Sequence, residues 1–298
     1  MKRKDFIRLS AASGVWSAMG FVSRASALPS NKQTPSGSLI LCSTCGTQFN
    51  RSTMPAAICP VCADDRQYLP PKGQSWTQPE ELQNKYSNSI KEVNEHFYEI
   101  KTTPKFAIGQ RAFLIITPGG NILWDCISLL NEPTREFIRS KGGLKAIVIS
   151  HPHYYTTMND WAAAFDCPVY LHEADETFIY EKGPKINLWS GDRKELWDGI
   201  RAIHIGGHFP GSSILQVPFL SSQSALLCGD TFYIAPSKRH VSVMYSYPNM
   251  IPVTLAEISR IRQTMQEVKF DRMIGAFDNQ SIESNAKEVL LESLGRYR

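Results

Sequence analysis

Ala146-Ile147-Val148-Ile149-Ser150-His151-Pro152-His153-Tyr154-Tyr155 is an apolar, β-branched run that stops on two histidines. The run predicts a buried strand, and its polar end predicts a site. In an extended chain, residues two apart face the same way, so His151 and His153 can aim their imidazoles at one point past the strand's carboxyl end. That is metal-ligand spacing. Two surface histidines in a turn produce the same pattern, so the decision rests on what else the chain carries.

Outward from this run, strand-like and helix-like segments alternate from about Trp76 to the end. Strands are expected over 113–116 and 121–127, joined by Pro118-Gly119-Gly120, and a helix over 133–141 precedes the central strand at 144–150. A helix over 156–165, a strand over 168–172 and a helix over 174–180 follow, then strands at 200–205, 213–217 and 224–228. A helix over 255–268, a strand over 270–275 and an amphipathic helix over 281–297 complete the series. Such a mixture means one layered domain. Its strands close on polar residues: Trp124-Asp125, the two histidines, Gly206-Gly207-His208-Phe209-Pro210-Gly211, and Cys228-Gly229-Asp230.

In that order and context these residues resemble the motifs of the metallo-β-lactamase superfamily over residues 96 to 298: the strand-end Asp (Asp125), the His-x-His turn (His151, His153), the glycine-flanked His (His208) and the Asp after a strand (Asp230). The resemblance implies an α+β fold, a four-layer αββα sandwich with metal at one edge of its two sheets. It implies that His151, His153 and His208 bind a first ion, that Asp230 reaches it or bridges to a second, and that Asp125 orients ligands. The plain readings are a helix cap for Asp230 and a lone turn histidine for His208.

The chain also departs from the family. Tyr155 and Thr156 stand where its second motif continues with Asp and His, and Ile274-Gly275-Ala276-Phe277-Asp278 has no histidine where the fifth motif supplies one. All three losses fall on a second metal site, so a single ion is expected. One zinc on three histidines and a carboxylate still yields a metal hydroxide near neutral pH and polarises a carbonyl or phosphoryl oxygen. Asp230 is the residue expected to hold the water, and Tyr155 the expected hydrogen-bond donor to a developing oxyanion, since tyrosine is too weak a base. His172 reads as a cap or a pocket wall, His204 as packing, and the loop from Tyr245 to Asn249 as a substrate wall or a self-packed surface loop.

Nearer the amino terminus, Cys42-Ser43-Thr44-Cys45 and Cys59-Pro60-Val61-Cys62 are two paired-cysteine turns, and four thiolates suit a closed tetrahedral site. Disulfides are the alternative, although cysteines two residues apart bridge each other only under strain. The segment looks like a zinc ribbon and also resembles the knuckles of rubredoxin-like iron sites, and soft ligands do not separate zinc from iron. Zinc makes it a structural clip and iron an electron carrier, and since nothing else in the chain looks like a redox partner domain, zinc is the expected metal and iron the alternative. Trp76 is expected to pack this module on the larger domain. Cys126, Cys167 and Cys228, the remainder of seven, read as buried small hydrophobes.

The first 27 residues read as an export signal: a basic start at Lys2-Arg3-Lys4, an apolar stretch from Phe6 to Val22, and Ala25-Ser26-Ala27 for cleavage. Arg3-Lys4-Asp5-Phe6-Ile7-Arg8 resembles a bacterial twin-arginine signal with Lys4 for the second arginine, and that route carries folded, metal-loaded proteins to the periplasm. An ordinary secretory signal or an amphipathic helix is the alternative. Organisation is thus expected as signal 1–27, linker 28–38, cysteine module 39–75 and large domain 76–298. The whole net charge of +4 sits in the signal. The remainder is balanced, which leaves no electrostatic case for nucleic acid or an anionic membrane, and no further segment reads as a membrane span. A small-molecule substrate and, through the signal, the export machinery are the expected partners. The readings in competition are a metal-dependent hydrolase, a metal-retaining binding protein without catalysis, and a redox protein with iron at the cysteines.

Overall fold

The computed structural model describes residues 39–52, 54 and 57–297. The segments expected as export signal and linker lie outside the described residues. Among the described residues, the longer strands form two sheets. The first runs in the order Ile186–Trp189, Val169–His172, Ala146–Val148, Ile122–Trp124, Ala112–Ile115, Phe97–Thr103 and Ser87–Asn94. The second runs Arg193–Glu195, Arg201–His204, Ser213–Val217, Ala225–Leu227, Arg272–Ile274 and Ser281–Ile282.

Strand alternation decides the layering. Leu114, Leu123, Ile147 and Leu171 face one way, into a core closed by the helices Glu132–Ser140 and Met158–Phe165 through Ile138, Trp161 and Ala162. Their neighbours Phe113, Ile115, Ile122, Trp124 and Val148 face the other way and meet Ala202, Leu215, Ala225, Leu227 and Ile274 of the second sheet. On the far side of that sheet Ile203, Ile214, Leu226 and Met273 pack against the helices Leu255–Glu267 and Ala286–Leu294. The architecture is the αββα sandwich.

Several expected bounds shift. The segment expected as one helix over 281–297 is a strand, Ser281–Ile282, followed by a helix, Ala286–Leu294, because Ile282 completes the sheet beside Met273. The helix expected over 174–180 is a 3-10 helix, Glu173–Phe178, whose amino end is capped by His172 Nδ1 accepting from Ala174 N at 3.2 Å. His172 also stacks on His204, ring centroids 3.9 Å apart. Both histidines are thus used structurally.

The cysteine segment forms a small sheet, Gln48–Asn50, Leu39–Cys42 and Trp76–Thr77, and belongs to one compact unit with the sandwich. Trp76 packs against the cysteine cluster together with Ile108 and Tyr180 of the larger segment. It meets Phe49 edge-on inside the module at 5.9 Å. Docking also runs through Ser128 Oγ donating to the Gly46 carbonyl at 2.9 Å, Gln48 Nε2 donating to Asp160 at 3.0 Å, and Gln48 N donating to the Thr156 carbonyl at 3.2 Å. Among the described residues, no helix is long and apolar enough to cross a membrane.

Candidate metal centres

The strands Ile122–Trp124, Ala146–Val148, Arg201–His204 and Ala225–Leu227 end at one edge of the sandwich, where the two sheets are stitched together. Ser213 N donates to the Ser150 carbonyl at 2.9 Å, and Arg111 N to the Ala276 carbonyl at 2.8 Å. Gly229 has φ +56°, and a Cβ there would lie 2.5 Å from Ser150 Oγ, so only glycine lets the sheets approach this closely. Beyond these strand ends one atom each of His151, His153, His208 and Asp230 gather within 4.8 Å of one another, all four residues buried.

The two histidines of the central turn converge by a different route from strand alternation. His151 is extended, but His153 lies in a 3-10 turn, Pro152–Tyr154. His151 therefore offers Nε2 and His153 offers Nδ1. His151 Nε2 lies 2.8 Å from Asp230 Oδ1, His208 Nε2 lies 3.8 Å from the same oxygen, and His208 Nε2 lies 3.2 Å from His153 Nδ1. Ligands about 2.0–2.1 Å from a tetrahedral zinc are about 3.3 Å apart, and the observed separations bracket that value. His151 Nε2 and Asp230 Oδ1 face each other, and neither has any further hydrogen-bond partner. Buried polar atoms left so are rare, and a cation between them satisfies both. The residues present fit a metal ion.

Neighbouring groups set which nitrogens face that point. The carbonyls of Met244 and Tyr245 lie 3.1 and 3.0 Å from His208 Nδ1, and carbonyls only accept, so Nδ1 holds the proton and Nε2 keeps its lone pair. Asp125, in a left-handed turn with φ 61°, accepts from Ser150 N at 2.7 Å, while Ser150 Oγ meets His151 Nδ1 at 2.9 Å. Asp125 thus acts through Ser150 and stands outside the ligand group. Burial, then the charge of His208, holds His153 well below the ordinary histidine range, and burial brings His208 down to about 4. Neutral imidazole is the ligand form. His151 differs, since Asp230 raises it against its burial, and the Asp230 carboxyl is in turn held below the usual range, against its own burial, chiefly by the charge of His151.

Tyr155 sits among the core side chains under the first sheet, with Asp175 as its charged neighbour. The tyrosine at the histidines is Tyr154. Its ring centroid is 4.4 Å from that of His151, its buried hydroxyl lacks a partner, and burial followed by the charge of Asp230 pushes its pKa well up, so it stays a proton donor. The 3-10 turn makes the difference, since it rotates successive side chains by about a third of a turn rather than a half. Thr156 is occupied with the cysteine module through its carbonyl, and Phe277 packs against the first core. Among the described residues, no second cluster of histidines and carboxylates adjoins the first.

At the cysteine site Cys42, Cys45, Cys59 and Cys62 converge, with Cys42 and Cys62 sulfurs 3.6 Å apart and those of Cys45 and Cys59 also 3.6 Å apart. Thiolates about 2.3 Å from a tetrahedral ion are about 3.8 Å apart. All seven cysteines are free. Gln74 clamps the two turns, donating to Cys42 Sγ at 3.1 Å and accepting from Cys59 N at 3.1 Å. Hydrogen bonds, from Cys45 foremost, hold the Cys42 thiol far below its usual range, while burial drives Cys45 up and the Cys42 contact drives Cys62 up. Four such neighbours ionise together only around a cation.

Three residues outside the motifs complete the surroundings. Arg66 reaches from the cysteine module to the His208 carbonyl, its Nε donating at 2.6 Å, and its guanidinium lies 4.2 Å from the ring centre of Tyr245 and 4.5 Å from that of Phe209. Desolvated contacts of this type are worth about 2 kcal/mol. Asn249 donates to the carbonyls of Asp65 and Gln67 at 2.8 and 2.9 Å, so the loop from Tyr245 to Asn249 packs on the module. Buried Asp175 accepts from Gly211 N at 2.6 Å. Asp64-Asp65-Arg66-Gln67 carries a turn signature in sequence, and nothing local tells where its arginine goes.

Asp175 gives a pH prediction. Burial pushes its carboxyl up to about 7 from an ordinary 3.8, so its charged form is disfavoured in the folded chain. Its contribution to stability is intact below pH about 4 and is lost as pH rises through about 7. Asp175→Asn keeps the acceptor for Gly211 and cannot ionise. It should melt with the wild type near pH 4 and be more stable by a few kcal/mol at pH 8, at about 1.4 kcal/mol per pKa unit. Identical melting at both pH values would show that Asp175 ionises at no cost.

No family model matches the chain. Over 260 residues it is 39% identical to the uncharacterized protein YmaE of Bacillus subtilis (strain 168), an alignment that covers 86% of this chain and 94% of that protein. The chain belongs to the YmaE family. Among solved structures, the DIM-1 metallo-β-lactamase is similar with a TM-score of 0.54 and 14% identity, covering 72% of this chain and 100% of that one. The metallo-β-lactamase SMB-1, solved with mercaptoacetic acid, is similar with a TM-score of 0.50 and 12% identity, covering 70% of this chain and 94% of that one. The likeness is one of fold: this YmaE-family chain has the metallo-β-lactamase fold with a four-cysteine cluster added near its amino terminus.

Proposed function

We propose that the protein is a metal-dependent hydrolase that works with a single zinc ion at His151, His153, His208 and Asp230, with a structural zinc at the four cysteines. The observation that carries this reading is the gathering of four buried ligand atoms, His151 Nε2 and Asp230 Oδ1 among them with no partner beyond each other, at the edge where the two sheets meet. A zinc ion there supplies water ionised near neutral pH and polarises a carbonyl or phosphoryl oxygen. Asp125 and Ser150 hold the His151 ring, and the carbonyls of Met244 and Tyr245 hold that of His208. With Asp230 Oδ1 facing the ion, the other carboxylate oxygen would be the acceptor for a water added as a further ligand, and the Tyr154 hydroxyl would be the donor to negative charge developing on the substrate. Aromatic rings of Phe209 and Tyr247 stand beside the histidines and favour an apolar substrate portion. The amino-terminal sequence supports export in folded form and action in the periplasm.

The test is a panel of ester, lactone, thioester, phosphodiester and β-lactam substrates offered to zinc-loaded protein. Turnover is expected with at least one class. Tyr154→Phe should retain metal and lose about 10²-fold in kcat, as removal of an oxyanion donor does, whereas Tyr155→Phe should show no such selective loss. Full metal loading without turnover across the panel would replace the hydrolase by a metal-retaining binding protein.

A further inference from the structure

We propose that Arg66, supplied by the four-cysteine module, is a positioning residue for the histidine site, so that metal at the cysteines governs how tightly the histidine site holds its own ion. This rests on the metal-binding reading above. Cys59 precedes and Cys62 lies within a single helical turn, Pro60–Ala63, and the chain then folds back, with Arg66 N donating to Asp64 Oδ1 at 2.8 Å and Gln67 N to the Asp64 carbonyl at 2.9 Å. The Asp64 carboxylate also grips Arg66 Nη1, at 3.0 and 3.1 Å. Only three residues separate the last cysteine from the arginine, so an ion that fixes Cys62 fixes where that arginine starts.

Its far end is at the histidines. Arg66 Nε holds the carbonyl of His208, and its guanidinium packs on Tyr245, whose own carbonyl receives His208 Nδ1. One side chain from the module therefore steadies both the backbone of this ligand and the acceptor that orients its ring. Asn249 ties the same loop to the carbonyls of Asp65 and Gln67, so the loop and the module turn move together. Arg66 is 9% exposed and spends its donors on Asp64 and His208, which makes it a residue that acts through His208. Groups that orient a metal-binding histidine typically change affinity by about 10–100-fold.

The experiment uses the full chain loaded with cobalt. Thiolate-to-cobalt charge-transfer bands report the cysteine site, and the ligand-field bands that disappear in His208→Ala report the histidine site. Arg66→Met should keep the charge-transfer bands and weaken histidine-site cobalt by about 10–100-fold in chelator competition, and Arg66→Lys, which restores charge without the fork, should recover part of that loss. Cys62→Ser should weaken the histidine site in the native background and add little in the Arg66→Met background, because the two act as one unit. Unchanged histidine-site affinity in Arg66→Met with its charge-transfer bands intact, or losses that simply add, would overturn the proposal. Wild-type protein showing thiolate bands alone would instead overturn the metal reading of the histidine site, and this proposal with it.

Discussion

His208→Ala is expected to strip the ion from the histidine site, leave the cysteine site loaded, and reduce hydrolysis by at least about 10³-fold, since the chemistry lost is the ionisation of water at neutral pH. Elemental analysis should fall from two metal ions per chain to one. The size of the effect follows from the donor set. His208 Nε2 stands 3.8 Å from Asp230 Oδ1 and 3.2 Å from His153 Nδ1, and no other imidazole or carboxylate among the described residues joins the group. A wild-type count of three ions, two of them released with His208, would overturn the single-ion reading. So would activity that survives in the variant.

Cys59→Ser should cost more stability than an ordinary point substitution. Structural zinc in small cysteine sites has an apparent binding free energy of about 10–16 kcal/mol, and such binding is folding free energy, whereas most substitutions cost about 0.5–3 kcal/mol. Cys59 precedes the helix Pro60–Ala63 and its backbone N–H is held by Gln74, so its loss frees the second cysteine turn and everything anchored to it. Thermal unfolding with and without a chelator reads the effect: the wild type should be destabilised by chelation and the variant already destabilised without it. Unchanged melting and metal content would refute the structural clip.

Much of the fold is legible in the sequence alone. Strand alternation at Ile122–Trp124 and Ala146–Val148 assigns each residue to one of two cores, and the polar residues that close the strands mark one edge of the sandwich. Those signals are local: a period of two and a residue type at its end need only the neighbouring chain. The spacing of the four cysteines is equally local. What the sequence could not settle depends on turns and on distance along the chain. A 3-10 turn at Pro152–Tyr154, in place of a continuing strand, brings Tyr154 and not Tyr155 to the histidines, and aims Nδ1 of His153 but Nε2 of His151 at the shared point. Ser281–Ile282 reads as the start of a helix until the edge of a sheet is there to pair it. Arg66 meets His208 across 142 positions, so the joining of the cysteine module to the histidine site exists only in the folded chain.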